Sequence, residues 1–239
     1  MWWYWALGRK RNYMNLIVVG TGSSGNTYLL TNGQETLVLD AGCKFMEVKK
    51  ALDFNIKGIQ AVLVSHKHLD HDAYSHEYEA YGIPVWRPYE MESLRRDAQF
   101  GGFRVQSFQL IHSVPTVGYL IGHKDLGRMI YVTDTSYIPY RFHNLNTILI
   151  EANWGKEYVH KDEPKYMHTL QHHMSIETCV EAIKANMSSE LSHIILCHLS
   201  DNNSNQSAFR SAIRAVAPAG CTVDIATKGL TVDLNDIPF

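Results

Sequence analysis

The sequence predicts an α/β domain, on three observations: a β-rich meander at the start, a regular exchange of strand-like and helix-like stretches, and a second set of strands each ending near a polar residue. The meander comprises residues 16–19, 28–30 and 36–39, separated by Gly22-Ser23-Ser24-Gly25-Asn26 and by Asn32-Gly33, both turn-forming. Residues 45–54 have helical apolar spacing. Residues 61–64 read as a buried strand, and 73–81 and 90–97 as helices. Strands follow at 105–110, 117–121, 129–132 and 147–150. Ser175 is placed to cap a helix burying Ile176, Cys179, Val180 and Ile183, and Ser204 to open another burying Phe209, Ala212, Ile213 and Val216 before Pro218-Ala219-Gly220. Strands at 194–197, 222–225 and 230–232 complete the pattern. With no repeat, heptad run or Pro/Gly linker, residues 14–239 are expected to form one domain, behind an aromatic and basic extension at 1–13.

The composition limits the function classes. With 45% hydrophobic and 19% charged residues in 239, the chain can fill one core. Its 22 Lys+Arg against 24 Asp+Glu leave a net charge of -2, so the bulk charge does not advertise a polyanion-binding protein, although a local basic patch is allowed. Cys43, Cys179, Cys197 and Cys221 form no C-x-x-C pair, which favours reduced thiols used as core fillers and a cytoplasmic location. The opening Met-Trp-Trp-Tyr-Trp-Ala-Leu run is too short to span a membrane, and its charges follow rather than precede it, unlike an export signal. It is expected to pack on the body; an aromatic cluster would also suit a subunit interface, and a homodimer is compatible with it.

The chemistry concentrates at residues 65–72, Ser-His-Lys-His-Leu-Asp-His-Asp, directly after a buried strand. His66 and His68, two apart in extended backbone, project to one side, and the following turn can bring Asp70 and His71 to a neighbouring point. Such a set can hold two cations about 3.5–4 Å apart with an activated water between them. His112, Asp134 and His198 each follow a predicted strand, so they too sit at strand ends. Asp40 also ends a strand. His76, His123, His143, His160, His168 and His193 have no motif around them and read as surface or satisfied core residues.

The His-x-His-x-Asp-His run resembles the metallo-β-lactamase fold, a four-layer αββα sandwich with a di-metal site at one edge. The resemblance runs over most of the chain from Met14 and is closest to the small YycJ/WalJ-type branch, with ribonuclease Z as a more distant relative. It rests on Gly22-Ser23-Ser24-Gly25-Asn26, Leu39-Asp40-Ala41-Gly42, the cluster at 66–71, His112, Gly118-Tyr119, Thr133-Asp134-Thr135, Glu151-Ala152-Asn153, His173-Met174-Ser175 and Cys197-His198-Leu199-Ser200 with Asn202-Asn203. It implies that His66, His68 and His112 hold one metal, Asp70, His71 and His198 the other, and that Asp134 bridges them. Asp40 would accept a proton from a ligand imidazole. Five of these seven ligands are histidines, which favours two Zn2+ ions, with Mn2+ or iron also able to occupy mixed His/carboxylate sites.

Asp70, Glu151 and His173 are the catalytic candidates. In ribonuclease Z-like enzymes, a glutamate after a strand and a histidine before Ser/Thr form a proton relay, and a phosphodiester needs such a relay to protonate its leaving oxygen. The expected mechanism has the metals polarise the phosphoryl group and lower a water's pKa from about 15.7 toward about 7. His173 then protonates the leaving oxygen while Glu151 orients it. Two departures bear on the substrate: relatives commonly have His-Asp where this chain has His112-Ser113, and Asn-His-Asp where it has Asn153-Trp154-Gly155. Trp154 suits either base stacking or a packed wall. A metal-dependent phosphodiesterase acting on nucleotides is expected, with small cyclic nucleotides favoured on charge and size. A DNA or RNA exonuclease of the YycJ/WalJ type is one alternative, and a thioesterase or lactonase using the same metals is another.

Overall fold

The computed structural model describes residues 13–162 and 165–235. Of the expected N-terminal extension only Tyr13 lies within them; the rest lies outside the described residues. β1 (Asn15–Gly20), β2 (Thr27–Thr31) and β3 (Thr36–Leu39) form the antiparallel meander. α1 (Phe45–Ala51) crosses to β4 (Ile59–Leu63), and the short α2 (Leu69–Asp72) and α3 (Ser75–Glu79) to β5 (Val85–Trp86). β6 (Asp97–Phe100), β7 (Phe103–Leu110), β8 (Thr116–His123) and β9 (Gly127–Val132) run antiparallel. β10 (Thr147–Glu151), α4 (Tyr166–His172), α5 (Ile176–Ala185), β11 (His193–Cys197), α6 (Gln206–Arg214), β12 (Thr222–Ile225) and β13 (Thr231–Asp233) follow. One sheet has the order β13-β1-β2-β3-β4-β5, the other β12-β11-β10-β9-β8-β7-β6.

Strand periodicity builds the layers. In β10, Leu149 faces the space between the sheets with Ile195, Tyr131, Leu30 and Leu39, whereas Ile148 and Ile150 face outward onto α5 and α6. Both faces are covered, so β10 and β11 read as continuous apolar runs rather than alternating ones. The other outer layer is α1 and α3, whose Phe45, Val48 and Tyr78 pack on Leu29, Val38 and Val62. Helix, sheet, sheet, helix is the αββα sandwich expected.

Several elements differ from expectation. Residues 90–97 are not helical: a 3-10 turn, Pro88–Glu90, gives way to β6, whose exposure alternates with a period of two. Pairing to β7 decides this, together with Ser107, whose hydroxyl accepts from Arg96 N at 3.0 Å and donates to the Leu94 carbonyl at 2.7 Å. Of the helix expected at 73–81 only α3 (Ser75–Glu79) forms, set off from α2 at Tyr74, whose N donates to Ala41 O (2.9 Å) across the chain instead of continuing a helical ladder. Asn205, not Ser204, caps α6, accepting from Ala208 N at 3.0 Å, while the Ser204 hydroxyl donates to the Ser200 carbonyl. Ser175 does cap α5, through Thr178 N at 3.1 Å. α4 and β5 had no prediction. The four cysteines are free thiols, Cys179 and Cys197 buried.

β3, β9 and β11 end at the edge where the polar residues gather, and the residue just past β3, Asp40, the second past β9, Asp134, and the one after β11, His198, have φ of 58, 47 and 52°. Left-handed backbone is costly for non-glycine residues and concentrates at functional sites. It turns each strand abruptly toward one cavity. Ile195 lies at the centre of this scaffold, fully buried and paired with Leu149. Ile195→Ala should lower stability by about 2–5 kcal/mol, seen as a lower urea midpoint with unchanged slope.

Candidate metal centre

β4 delivers the chain into Ser65 and His66, and the Ser65 carbonyl is taken by Val117 N of β8 at 3.0 Å. At His68 the backbone is extended (φ -66, ψ 147), and α2 begins. That single turn, closed by His71 N and Asp72 N on the His68 carbonyl (both 2.9 Å), swings Asp70 and His71 back beside the first two histidines. The loop after β3 braces it: Ala41 N donates to His71 O and Asn26 N to Asp70 O, each at 2.7 Å. Gly42 is required there, since a Cβ would stand 1.9 Å from Asp70 O.

The structure brings the nine predicted site residues together. His68 Nδ1 lies 3.0 Å from His66 Nε2 and 3.3 Å from His112 Nε2. Asp134 Oδ2 is 3.6 Å from both His66 Nε2 and His112 Nε2. On its other side Asp134 Oδ1 is 3.4 Å from His71 Nε2 and 3.4 Å from His198 Nε2. Asp70 Oδ2 closes that second group at 3.3 Å from His71 Nε2 and 3.4 Å from His198 Nε2. Ligands at about 2.0–2.1 Å around a tetrahedral ion stand about 3.3 Å apart. Both groups have that spacing and share Asp134, one oxygen each, so the donor set fits two divalent cations. Glu151 and His173 lie alongside, His173 Nδ1 being 2.7 Å from Glu151 Oε1.

Comparison with known proteins agrees with this geometry. Residues 20–90 match the family described as "Metallo-beta-lactamase superfamily". The chain is 25% identical over 252 residues to an exodeoxyribonuclease WalJ of Streptococcus pneumoniae, covering 88% of this chain and 91% of that protein. The metallo-beta-lactamase fold protein YhfI from Bacillus subtilis superposes with TM-score 0.70 at 19% identity, over 92% of this chain and 99% of that one. Human tRNase Z, short form, superposes with TM-score 0.63 at 13% identity, over 93% of this chain and 100% of that one. The chain has the metallo-β-lactamase fold. Among its described residues no helix is long and apolar enough to cross a membrane.

Three of these imidazoles are oriented through the far nitrogen. His71 Nδ1 is held by Asp40 Oδ2 at 2.6 Å, His112 Nδ1 by the His172 carbonyl at 3.0 Å, and His198 Nδ1 by Glu151 Oε1 at 3.3 Å, so each Nε2 faces the centre. Burial holds His66 well below the ordinary histidine value and pushes His112 to about 4, leaving neutral imidazoles suited to a metal. Burial also disfavours charge on His71, but Asp134 and Asp40 outweigh it and raise its pKa; Asp134, Asp70 and Glu151 similarly carry His198 up to about 10. In this half of the centre a cation would displace protons from the imidazoles. Burial would raise Asp134, yet the surrounding imidazoles keep it well below the carboxylate range.

A cavity of about 600 Å3 opens over the centre, with His68, Asp70, His112, Asp134, His173 and His198 in its wall and His66 and His71 sealed beneath. Trp154 is not in that wall, and its indole N–H donates to the His173 carbonyl at 3.0 Å. His168, expected to be surface or core, lines the cavity together with Lys165. The usable clue was His168 and His172 at i and i+4 beside His173, which places two imidazoles on one helical face. His123 and His193 are satisfied by Glu35 and Thr222, and His76, His143 and His160 are exposed. Asp40→Asn should weaken divalent-metal binding by about 10–100-fold, measured by equilibrium dialysis, with an unchanged far-ultraviolet spectrum.

Proposed function

We propose that this hydrolase cleaves phosphodiester bonds of nucleotides on two divalent ions, zinc being favoured by the five imidazoles. In this reading His66, His68 and His112 hold one ion, Asp70, His71 and His198 the other, and Asp134 bridges both. The observation that carries the phosphodiester assignment is the Glu151–His173 pair, 2.7 Å apart beside the metal donors and reaching the cavity wall. Acyl hydrolysis at the same ions has no need of it.

When bound, the ions supply Lewis acidity to a phosphoryl oxygen and lower the pKa of a water. The protein's own groups handle the leaving oxygen. Glu151 is fully buried; its Oε2 accepts from Thr135 N at 3.0 Å and Met174 N at 3.3 Å, which leaves Oε1 aimed at His173. Burial alone would raise the glutamate's pKa, but His173 and His198 keep it ionised. Burial alone would lower His173, but the Glu151 charge and hydrogen bond outweigh it and raise its pKa, which favours the protonated imidazole a leaving-group acid needs. With Nδ1 engaged, Nε2 remains for the substrate, and His173 donates from there to the departing alkoxide.

DNA is the substrate supported by sequence, because the relative named exodeoxyribonuclease is similar along 88% of this chain. A small cyclic nucleotide is supported by the cavity, whose volume of about 600 Å3 suits a single nucleotide. A panel of single-stranded DNA, RNA, cyclic mononucleotides, bis-p-nitrophenyl phosphate, a thioester and a lactone separates these, and turnover of the acyl substrates alone would overturn the proposal.

Asp70→Ala and His71→Ala should each abolish turnover without unfolding the chain; full activity in either would refute the two-ion arrangement. His173→Ala should slow natural diesters by about 10²–10⁴-fold while sparing p-nitrophenyl esters, whose leaving group needs no proton. Glu151→Gln removes the charge that outweighs burial at His173. The His173 pKa then falls, and the alkaline limb of the kcat profile should move to lower pH.

A further inference from the structure

α4 has no counterpart in the expected layers, yet it touches the metal centre directly. Its last residue, His172, takes the His112 Nδ1 proton on its carbonyl, and its C-cap is His173. Both ends of the catalytic geometry are therefore tied to this one helix. Lys165, the N-cap of α4, lines the cavity together with His168 and Thr169, three and four residues on in the first turn. That turn faces the substrate space.

Its chemistry suits an anion. Among the described residues lining the cavity, Lys165 is the only lysine or arginine, and His168 adds an imidazole one turn along. Of the acids in the lining, Asp70 and Asp134 sit within the cluster of imidazoles and Asp201 is the third, and Ser23, Ser24 and Ser200 add hydroxyls to the same cavity. A helix rises 1.5 Å per residue, so Lys165 stands roughly 12 Å along the chain from His173. It is displaced from the phosphate that His173 serves and placed for a neighbouring one.

We propose that the cavity face of α4 is a second-phosphate subsite, in which Lys165 and His168 bind the phosphate next to the scissile diester. The inference rests on the phosphodiesterase reading and names its substrate class: nucleic-acid ends or oligonucleotides bearing at least two phosphates, rather than cyclic mononucleotides with one. Lys165 supplies charge, and His168 a directional hydrogen bond. Neither touches the reacting atoms, so both set specificity.

The test compares the dinucleotide TpT with its terminally phosphorylated forms pTpT and TpTp on the metal-loaded full chain, by kinetics and by titration calorimetry. The wild type should favour one phosphorylated form over TpT by about tenfold in KM and in Kd, a ratio worth about 1.4 kcal/mol. In Lys165→Gln that ratio should collapse toward one, and in His168→Gln it should fall severalfold. Equal treatment of TpT and both phosphorylated forms by the wild type, or an undiminished ratio in Lys165→Gln, overturns the subsite. If no dinucleotide is hydrolysed but calorimetry retains the preference and its loss in Lys165→Gln, the subsite stands and the phosphodiesterase reading fails.

Discussion

The carboxylate of Asp40 is the contact on which the centre depends. It is fully buried and joins both sheets: Oδ1 accepts from Ser65 N at 2.7 Å just past β4, while Oδ2 accepts from Tyr131 of β9 at 2.5 Å and holds His71 at 2.6 Å. A buried carboxylate is tolerable only when its lone pairs are filled by donors, and here the donors are the parts that must be aligned. Moving either sheet, or the turn at α2, would leave that charge unsatisfied. The sandwich and the site are thus coupled through one side chain.

Around this anchor the protein gathers imidazoles at spacings that uncharged side chains would gain little from. Asp134 lies between the two groups, within 3.6 Å of four imidazole nitrogens, and stays ionised although it is buried. The arrangement has a steep electrostatic gradient: His66 and His112 are driven neutral by burial, whereas His71 and His198 are driven toward the charged form by carboxylates. Two cations would satisfy both halves at once. The left-handed backbone at Asp40, Asp134 and His198 is the local strain accepted to place these groups, and the covered sheets behind them hold it.

The fold alone is shared by hydrolases of differing substrates, so function has to be argued from the site. The distinguishing feature is a buried glutamate whose two oxygens are assigned separately, one to backbone N–H groups and one to two histidines of the cavity wall, His173 at 2.7 Å and His198 at 3.3 Å. α4 adds to this site, since its last carbonyl positions the His112 imidazole and its first turn presents a lysine and a histidine to the same cavity.

The sequence by itself determined the layers and most of the centre. Covered strands are written as apolar runs, capped helices as periodic stripes after Ser175, and the tight cluster at 66–71 has no packing rationale, because four polar donors in one turn must serve something other than a core. Tertiary structure decided what depends on partners distant in the chain. Residues 90–97 have helix-compatible composition, but they form an irregular connection into edge strand β6, which begins at Asp97 where pairing with β7 starts. Tyr74 breaks a plausible helix because Ala41 offers it a carbonyl. Trp154 was equally suited to a base or to a wall, and the fold keeps it out of the cavity lining, while the i, i+4 spacing of His168 and His172 could not say that His168 would line the cavity until α4 was laid against it. Periodicity and turn chemistry are properties of neighbours in sequence; which hydrogen bond a group finally makes is set by what the fold brings within about 3 Å of it.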